Sequence, residues 1–202
     1  IPSICLKKNS KKKVHNIHIQ DPKVSLKNFD FIIVPEHDGL TGENVILSKG
    51  SIHYLTNDEI VNNHEYLIER LNKEKEYLAV ILGGPNKYYD YNDQNLTIVF
   101  DKVKSILEKN NLQAIIISSM RTPKKIIDLS VSYFGKDHLV IKDIDKKAYL
   151  SGLSLAKYIV VACDSTSMIS EAALTGKPIY IAEIPAKIND YRFRRFRDLF
   201  SK

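Results

Sequence analysis

The sequence predicts an α/β protein whose main part is a Rossmann-like, doubly wound parallel sheet. After about residue 77, short apolar runs of strand length alternate with segments of helical periodicity. Loops rich in glycine or in polar side chains follow several of these runs. With 202 residues, of which 44% are hydrophobic, the chain can bury a substantial core in one or two domains.

The predicted strands of this sheet are short apolar runs. They span residues 77–82, 114–118, 138–141, 158–162 and 178–181. The segments between them carry apolar side chains at helical spacing, and the clearest stripe comprises Leu96, Val99, Phe100, Val103 and Leu107. Thr122 as the cap and Pro123 as a first-turn proline predict the start of another helix, and Gly135 predicts its end. Alternating strands and helices predict parallel strands, with ligands bound outside their carboxyl ends.

Residues 1–55 predict a different unit, the end of a second Rossmann-like domain. They hold a basic run, Lys7 to Lys13, and two predicted strands, Val14 to Ile19 and Phe31 to Val34. These strands are too few for a complete domain, and they need partners. We expect this unit to be the remainder of an N-terminal domain.

A helix is predicted between the two domains. Residues 56–59, Thr-Asn-Asp-Glu, are a capping-box signature that opens a helix through about Leu71. The predicted domain boundaries are therefore 1–55 for the N-terminal unit and 56–202 for the C-terminal unit.

The hydroxyl-rich segment 164–172 predicts an anion-binding turn. It follows the predicted strand 158–162 and places Ser165 and Ser167 at the start of a helix. Amide donors and the positive end of a helix dipole attract a diphosphate at such a position. From one turn further, the Glu171 carboxylate can accept hydrogen bonds from two hydroxyls, as on a ribose. The structural alternative is that Ser167 is an N-cap and Glu171 a solvated first-turn acid.

Two further loops follow predicted strands at the same edge. Gly83 and Gly84 let the backbone approach a ligand, although paired glycines are also a common turn. The loop 118–122 contains Arg121, whose guanidinium can clamp a phosphate or remain a surface charge. Because the three loops converge on one edge, we favour the ligand-binding interpretation.

Four motifs spread along the chain together resemble one known family. They are Pro35-Glu36-His37-Asp38 with Asn44-Val45-Ile46, Gly83-Gly84-Pro85, Arg121-Thr122-Pro123, and Asp164-Ser165-Thr166-Ser167-Met168-Ile169-Ser170-Glu171-Ala172. This combination resembles the mitochondrial-fission ELM-type family, whose bacterial members are taken to be glycosyltransferases, over nearly the whole chain. One departure is that the family often has two adjacent arginines before Thr-Pro, and Met120 stands at the first position here.

The resemblance implies a GT-B-like architecture. Two Rossmann-like domains then face each other across a cleft, the C-terminal one holding a nucleotide-diphosphate sugar and the N-terminal one the acceptor. The implied substrate-binding residues are Gly83, Gly84, Ser119, Arg121, Thr122, Asp164, Ser165, Ser167, Met168 and Glu171. In this assignment Ser165 and Ser167 hold the diphosphate and Glu171 holds the ribose.

The implied catalytic residues lie in the first unit. His37 is the candidate general base for an acceptor hydroxyl, oriented by Asp38, and the alternative is an ordinary turn at a strand end. No metal site and no permanently bound cofactor are expected, since helix dipoles and basic side chains can offset the charge of the leaving group.

The charge balance adds candidate partners. Thirty Lys and Arg against 24 Asp and Glu give a net charge of +6, which favours anionic ligands or an anionic membrane surface. We expect a nucleotide sugar, a lipid-linked or saccharide acceptor and, as an option, peripheral membrane contact through the basic clusters 7–13 and 192–197. Nucleic acid ranks last. Two cysteines without metal or redox spacing predict a cytoplasmic protein, with any membrane contact at the inner face.

Two functions therefore remain. The first is a sugar transferase with the 164–171 segment as its donor site. The second is a non-enzymatic adaptor that keeps the fold and recruits a partner to a membrane. The retained polar side chains favour the first, because a scaffold has no physical need for them at a strand end.

Overall fold

The computed structural model describes residues 1–201, which form two compact units. Unit 1 comprises residues 1–52 and the C-terminal helix, and unit 2 comprises residues 53–190. The predicted boundaries placed the C-terminal helix in the second domain, whereas it groups with unit 1 because it packs against the turn Glu36–Asp38. No helix within residues 1–201 is both long enough and apolar enough to cross a membrane.

The elements alternate along the chain as the apolar runs predict. The strands are β1 (Ile17–Ile19), β2 (Phe31–Pro35), β3 (Val45–Ser48), β4 (Glu76–Ile81), β5 (Leu112–Ile117), β6 (Leu139–Ile141), β7 (Tyr158–Ala162) and β8 (Ile179–Ala182). The α-helices are α1 (Pro2–Asn9), α2 (Asn57–Asn62), α3 (Asp93–Asn110), α4 (Lys124–Phe134), α5 (Lys146–Leu155), α6 (Thr166–Ala173) and α7 (Tyr191–Phe200). Short 3-10 helices occupy Leu26–Asn28, Glu36–Asp38 and His64–Arg70.

Unit 2 is built on a five-stranded parallel sheet in the order β6-β5-β4-β7-β8. Counted within the unit this order is 3-2-1-4-5, which confirms the predicted Rossmann-like doubly wound sheet. The order reverses between β4 and β7, and the right-handed crossovers that are the rule between parallel strands put helices on both faces of a sheet with this order. Because Ile81 of β4 lies opposite both Ile117 and Val161, the loops after these three strands begin side by side.

The amphipathic helices bury their apolar stripes against this sheet. In α3 the buried residues are Leu96, Phe100, Val103 and Leu107, four of the five in the predicted stripe. Asn92 caps this helix by accepting a hydrogen bond from the Asn95 N–H at 2.9 Å. Helix α5 approaches closely at Gly152, where an added Cβ would lie 2.5 Å from the Cδ1 atom of Ile117.

The capping box at Thr56 is confirmed, but the helix after it is shorter than predicted. Thr56 Oγ1 accepts the Glu59 N–H at 3.2 Å, and the Glu59 carboxylate accepts the Thr56 N–H at 3.3 Å. Helix α2 ends at Asn62, and the chain continues as the 3-10 helix His64–Arg70. The Ser151 hydroxyl of α5 accepts the Leu67 N–H and donates to the His64 carbonyl, so α5 binds the backbone groups that a longer α-helix would use.

Unit 1 contains a three-stranded parallel sheet, β1-β2-β3. On one face Ile32 and Val34 are fully buried. The other face carries, in register, side chains that are about half exposed: Ile17, Ile19, Phe31 and Ile46, at 47% to 57%. Parallel sheets are ordinarily covered on both faces, so this apolar face is unusual.

Candidate functional site

A cavity of about 370 Å³ opens at the carboxyl edge of the sheet in unit 2. Its walls come from the ends of β4 and β5, the segment after β6, the first turns of α5 and α6, and residues 54 and 55. The polar or charged side chains on the walls include Ser119, Arg121, Asp145, Lys146, Ser165 and Glu171. The volume lies in the range of small-molecule sites, about 300–1,000 Å³. A Rossmann-like sheet binds its ligands at this edge.

Glu171 lies on the cavity wall, at the sixth position of α6. Its Oε2 accepts a hydrogen bond from the Tyr149 hydroxyl at 2.8 Å. Burial, together with the Glu171 charge, raises the pKa of Tyr149, so this hydroxyl remains a donor. A carboxylate can accept about four hydrogen bonds, so one donor leaves capacity for ligand hydroxyls.

Ser165 forms the start of α6. It is the N-cap residue, and its Oγ accepts the Met168 N–H at 3.3 Å. The alternative with Ser167 as N-cap and Glu171 in the first turn is therefore wrong. Ser165 and Met168 line the cavity, whereas Ser167 is exposed on α6 outside the lining. Of the two serines predicted to hold a diphosphate, the structure brings Ser165 to the cavity.

Asp164 ties three loops together. Its side chain is 0% exposed, and its Oδ2 lies 2.7 Å from Nη2 of Arg121. The Tyr91 hydroxyl donates to Oδ1, and the Gly84 N–H donates to Oδ2 at 3.4 Å. Burial and the adjacent Asp164 charge raise the pKa of Tyr91, which keeps its hydroxyl protonated. Asp164 is outside the cavity lining and anchors the loops that form the cavity.

The paired glycines are needed for loop packing. A Cβ at Gly83 would lie 1.8 Å from Oδ1 of Asp164, and a Cβ at Gly84 would lie 1.9 Å from the carbonyl oxygen of Arg121. Both glycines are buried and neither lines the cavity. The absence of a side chain therefore lets the backbone at these glycines pack against neighbouring loops.

The loop after β5 presents Ser119 and Arg121 to the cavity. Thr122 is buried; its Oγ1 accepts the Ser119 N–H and donates to the Gly83 carbonyl, both at 2.9 Å. The predicted cap role of Thr122 is wrong, because Pro123 is the N-cap residue of α4. The Arg121 side chain is 44% exposed and has five N–H donors, so pairing with Asp164 positions it and leaves donors for an anion.

Several side chains on the cavity walls were not predicted from the sequence, among them Tyr149, Asp145 and Lys146. Asp145 is the N-cap of α5 and accepts the Ala148 N–H at 3.0 Å. Partial burial acts to raise the pKa of Asp145. The hydrogen bonds from the Ala148 N–H and the Tyr66 hydroxyl outweigh it and lower this pKa. An Asp after a predicted strand and before a helical pattern was the available signal.

His37 lies in unit 1 and is 1% exposed. Within the described residues neither ring nitrogen has a hydrogen-bond partner, and the Phe196 ring of α7 packs edge-on at 4.9 Å. Burial lowers the pKa of His37, and the nearby arginines of α7 act in the same direction, while Asp38 opposes them. Arg192 Nε donates to the Asp38 carboxylate. The catalytic role of His37 and Asp38 therefore stays a prediction, and it requires α7 to uncover the ring.

Within residues 1–201, no group of three or more His, Cys, Asp or Glu side chains is arranged to hold a metal ion.

The fold and the cavity define a Rossmann-like α/β protein of the GT-B type. Residues 1–202 match the family described as Mitochondrial fission ELM1, and the chain belongs to that family. The family and the fold class predicted from the sequence are confirmed.

Individual relatives agree with this assignment. An uncharacterized protein of Rickettsia prowazekii is 30% identical over 228 aligned positions, which cover 92% of this chain and 63% of that protein. The mitochondrial fission protein ELM1 of Arabidopsis thaliana is 24% identical over 202 positions, covering 87% of this chain and 47% of that protein. The chain thus spans about half to two thirds of the length of these relatives.

The solved structure of the UDP-GlcNAc 2-epimerase from Methanocaldococcus jannaschii has a similar fold. The TM-score is 0.57 at 14% identity, and the alignment covers 99% of this chain and 66% of that one. At this identity the likeness concerns the fold.

Proposed function

We propose that unit 2 binds a nucleotide-diphosphate sugar and that the protein is a GT-B-type glycosyltransferase. The observation that carries the proposal is the cavity at the carboxyl edge of the sheet, where Arg121, the start of α6 and Glu171 meet. These groups supply a cation, helix-start amides and a carboxylate, which suit phosphates and ribose hydroxyls respectively. The similar fold of an enzyme named for UDP-GlcNAc supports this ligand class.

Each side chain then has a distinct role. Arg121, held by Asp164, binds the diphosphate together with Ser165 and the first amides of α6. Glu171, held by Tyr149, accepts hydrogen bonds from the ribose. Asp164, Gly83, Gly84 and Thr122 act through the loops that they fix.

The transfer itself exchanges two bonds at the sugar. The bond between the anomeric carbon and the diphosphate breaks, the anomeric carbon bonds to an acceptor oxygen, and the acceptor proton passes to a base. Arg121 and α6 offset the charge that develops on the departing nucleoside diphosphate. Unit 1 is proposed to be part of the acceptor-side domain, with His37 as the base once its ring is accessible.

The proposal is tested by ligand binding. Calorimetry and thermal melting would measure the binding of UDP, GDP, CDP, dTDP and their sugars. The proteins compared are the wild type and the variants Glu171→Ala, Glu171→Gln and Tyr149→Phe. One nucleotide is expected to bind saturably, and Glu171→Ala to raise its Kd about tenfold or more. The control is Asp128→Ala, which removes an exposed acid on α4 and is expected to leave the Kd unchanged.

The variants separate binding from stability. Glu171→Gln keeps an acceptor for Tyr149, so its melting temperature should match the wild type while its affinity falls. If no nucleotide of the panel binds to the folded wild type, the proposal is wrong.

The second candidate function is that of an adaptor. The family is named for mitochondrial fission, and so is the Arabidopsis relative. In this alternative the fold recruits a partner to a membrane, and the protein binds peripherally to anionic vesicles without binding nucleotides. A vesicle sedimentation assay beside the nucleotide panel distinguishes the two functions.

A further inference from the structure

The rim of the cavity carries unusually exposed apolar side chains. Within residues 1–201, Met120 and Tyr54 are the two most exposed large apolar side chains, at 88% and 80%, and Ile144 is 59% exposed. All three line the same cavity, although they come from separate segments, before α2, after β5 and after β6. A single exposed apolar side chain is ordinary, but three at one cavity indicate a surface that a ligand covers.

Tyr54 is held in place by its neighbours. Leu55 is 8% exposed and Thr56 forms the capping box, so the backbone just after Tyr54 is fixed. Lys146 Nζ lies 5.1 Å from the centre of the Tyr54 ring and is bonded to Glu59 at 3.0 Å. The exposed ring is therefore part of a defined wall.

The ring also shares its cavity and the helix α5 with the proposed ribose site. Lys146, which contacts the Tyr54 ring, and Tyr149, which binds Glu171, are three residues apart on α5. Side chains at this spacing are neighbours on one helix face, about 5–6 Å apart. The Tyr54 ring and the Glu171 carboxylate thus line one cavity and are contacted by neighbouring residues of α5, and a nucleobase is attached directly to a ribose.

We propose that Tyr54, Met120 and Ile144 hold the base of a nucleoside diphosphate, with the Tyr54 ring as the stacking face. The thioether of Met120 is flexible and polarizable, which suits contact with an aromatic ring. This inference rests on the proposed function for the phosphate and ribose contacts. It adds that the base supplies much of the affinity.

The test compares two probes on four proteins. The probes are inorganic pyrophosphate and the nucleoside diphosphate of the panel that binds most tightly. The proteins are the wild type, Tyr54→Ala, Tyr54→Phe and Tyr180→Ala, which removes an exposed tyrosine of β8 outside the cavity. Removing a stacking aromatic raises Kd by about 5- to 150-fold. We expect such a rise for the nucleotide in Tyr54→Ala alone, with pyrophosphate affinity unchanged in every protein.

The outcomes separate this inference from the proposed function. Nucleotide binding that Glu171→Ala weakens and Tyr54→Ala leaves unchanged would overturn the base site only. Absence of nucleotide binding to the folded wild type would overturn both. If Tyr54→Phe loses as much affinity as Tyr54→Ala, the hydroxyl is used and stacking is refuted. Met120→Ala is a second variant. It is expected to lower the affinity for the nucleotide and to leave the affinity for pyrophosphate unchanged.

Discussion

Replacing Asp164 by alanine is expected to lower the free energy of unfolding by about 3 kcal/mol. The largest part comes from Tyr91, whose hydroxyl would remain buried without its acceptor at a cost of about 1–3 kcal/mol. The bond from Gly84 is long, at 3.4 Å, and adds little. The Arg121 side chain is 44% exposed and can be rehydrated, so its ion pair contributes at most about 1 kcal/mol.

Urea denaturation followed by circular dichroism would measure this effect. Asp164→Asn keeps the size and an acceptor for Tyr91, so it should cost about half as much. The double-mutant cycle of Asp164→Ala with Tyr91→Phe isolates the bond between them, because each single variant removes it, and we expect a coupling energy of about 1 kcal/mol. Asp128→Ala, which breaks an exposed ion pair on α4, is the control and should cost under about 0.5 kcal/mol.

Two results would contradict this role of Asp164. A cost below about 0.5 kcal/mol for Asp164→Ala would place this carboxylate among ordinary surface groups. A coupling energy near zero in the cycle would show that Tyr91 and Asp164 do not depend on each other.

Two further predictions concern the packing of Gly84 and the burial of His138. Gly84→Ala should lower the free energy of unfolding by at least about 2 kcal/mol, because its Cβ would lie 1.9 Å from a backbone oxygen. Gly176→Ala is the comparison: Gly176 has φ +65° and nothing within 4 Å of an added Cβ, so this change should cost only about 1 kcal/mol. If denaturation gave equal costs for Gly84→Ala and Gly176→Ala, the steric explanation would be wrong. Stability should also fall as pH drops below about 6.5, because burial lowers the pKa of His138 and the unfolded chain takes up that proton first. His138→Gln should reduce the slope of stability between pH 7.5 and 5.5, and an unchanged slope would exclude His138 as a cause.

The strands were predictable where polar residues flank an apolar run on both sides. Strand β7 has the predicted limits, Tyr158 to Ala162, and β4 and β5 differ from theirs by one or two residues at each end. Strand β3 was missed because its apolar run, Val45 to Leu47, is only three residues long and does not alternate with polar residues. The break in the helix after Asn62 depends on Ser151, far along the chain.

The site was predictable where one local motif carries it. Ser165, Met168 and Glu171 share α6, and Arg121 lies in a loop at the same edge of the sheet. The partners of these residues come from distant segments, as Tyr149 lies 22 residues from Glu171 and Tyr91 lies 73 from Asp164. No local pattern reports such pairs. For the same reason the packing role of the glycines was not visible, since it depends on what the fold places beside them.

The half-exposed apolar face of the sheet in unit 1 has a practical consequence for every assay above. Ile17, Ile19, Phe31 and Ile46 present an exposed apolar surface, and we expect hydrophobic reporter dyes to bind to it in the folded state. A dye-based melting curve would therefore start from a high signal and understate the transition. The chain has 11 tyrosines and no tryptophan, so intrinsic tyrosine emission or circular dichroism is the appropriate signal. Dilute samples, or a mild detergent that occupies this face, would keep the molecules apart during the measurement.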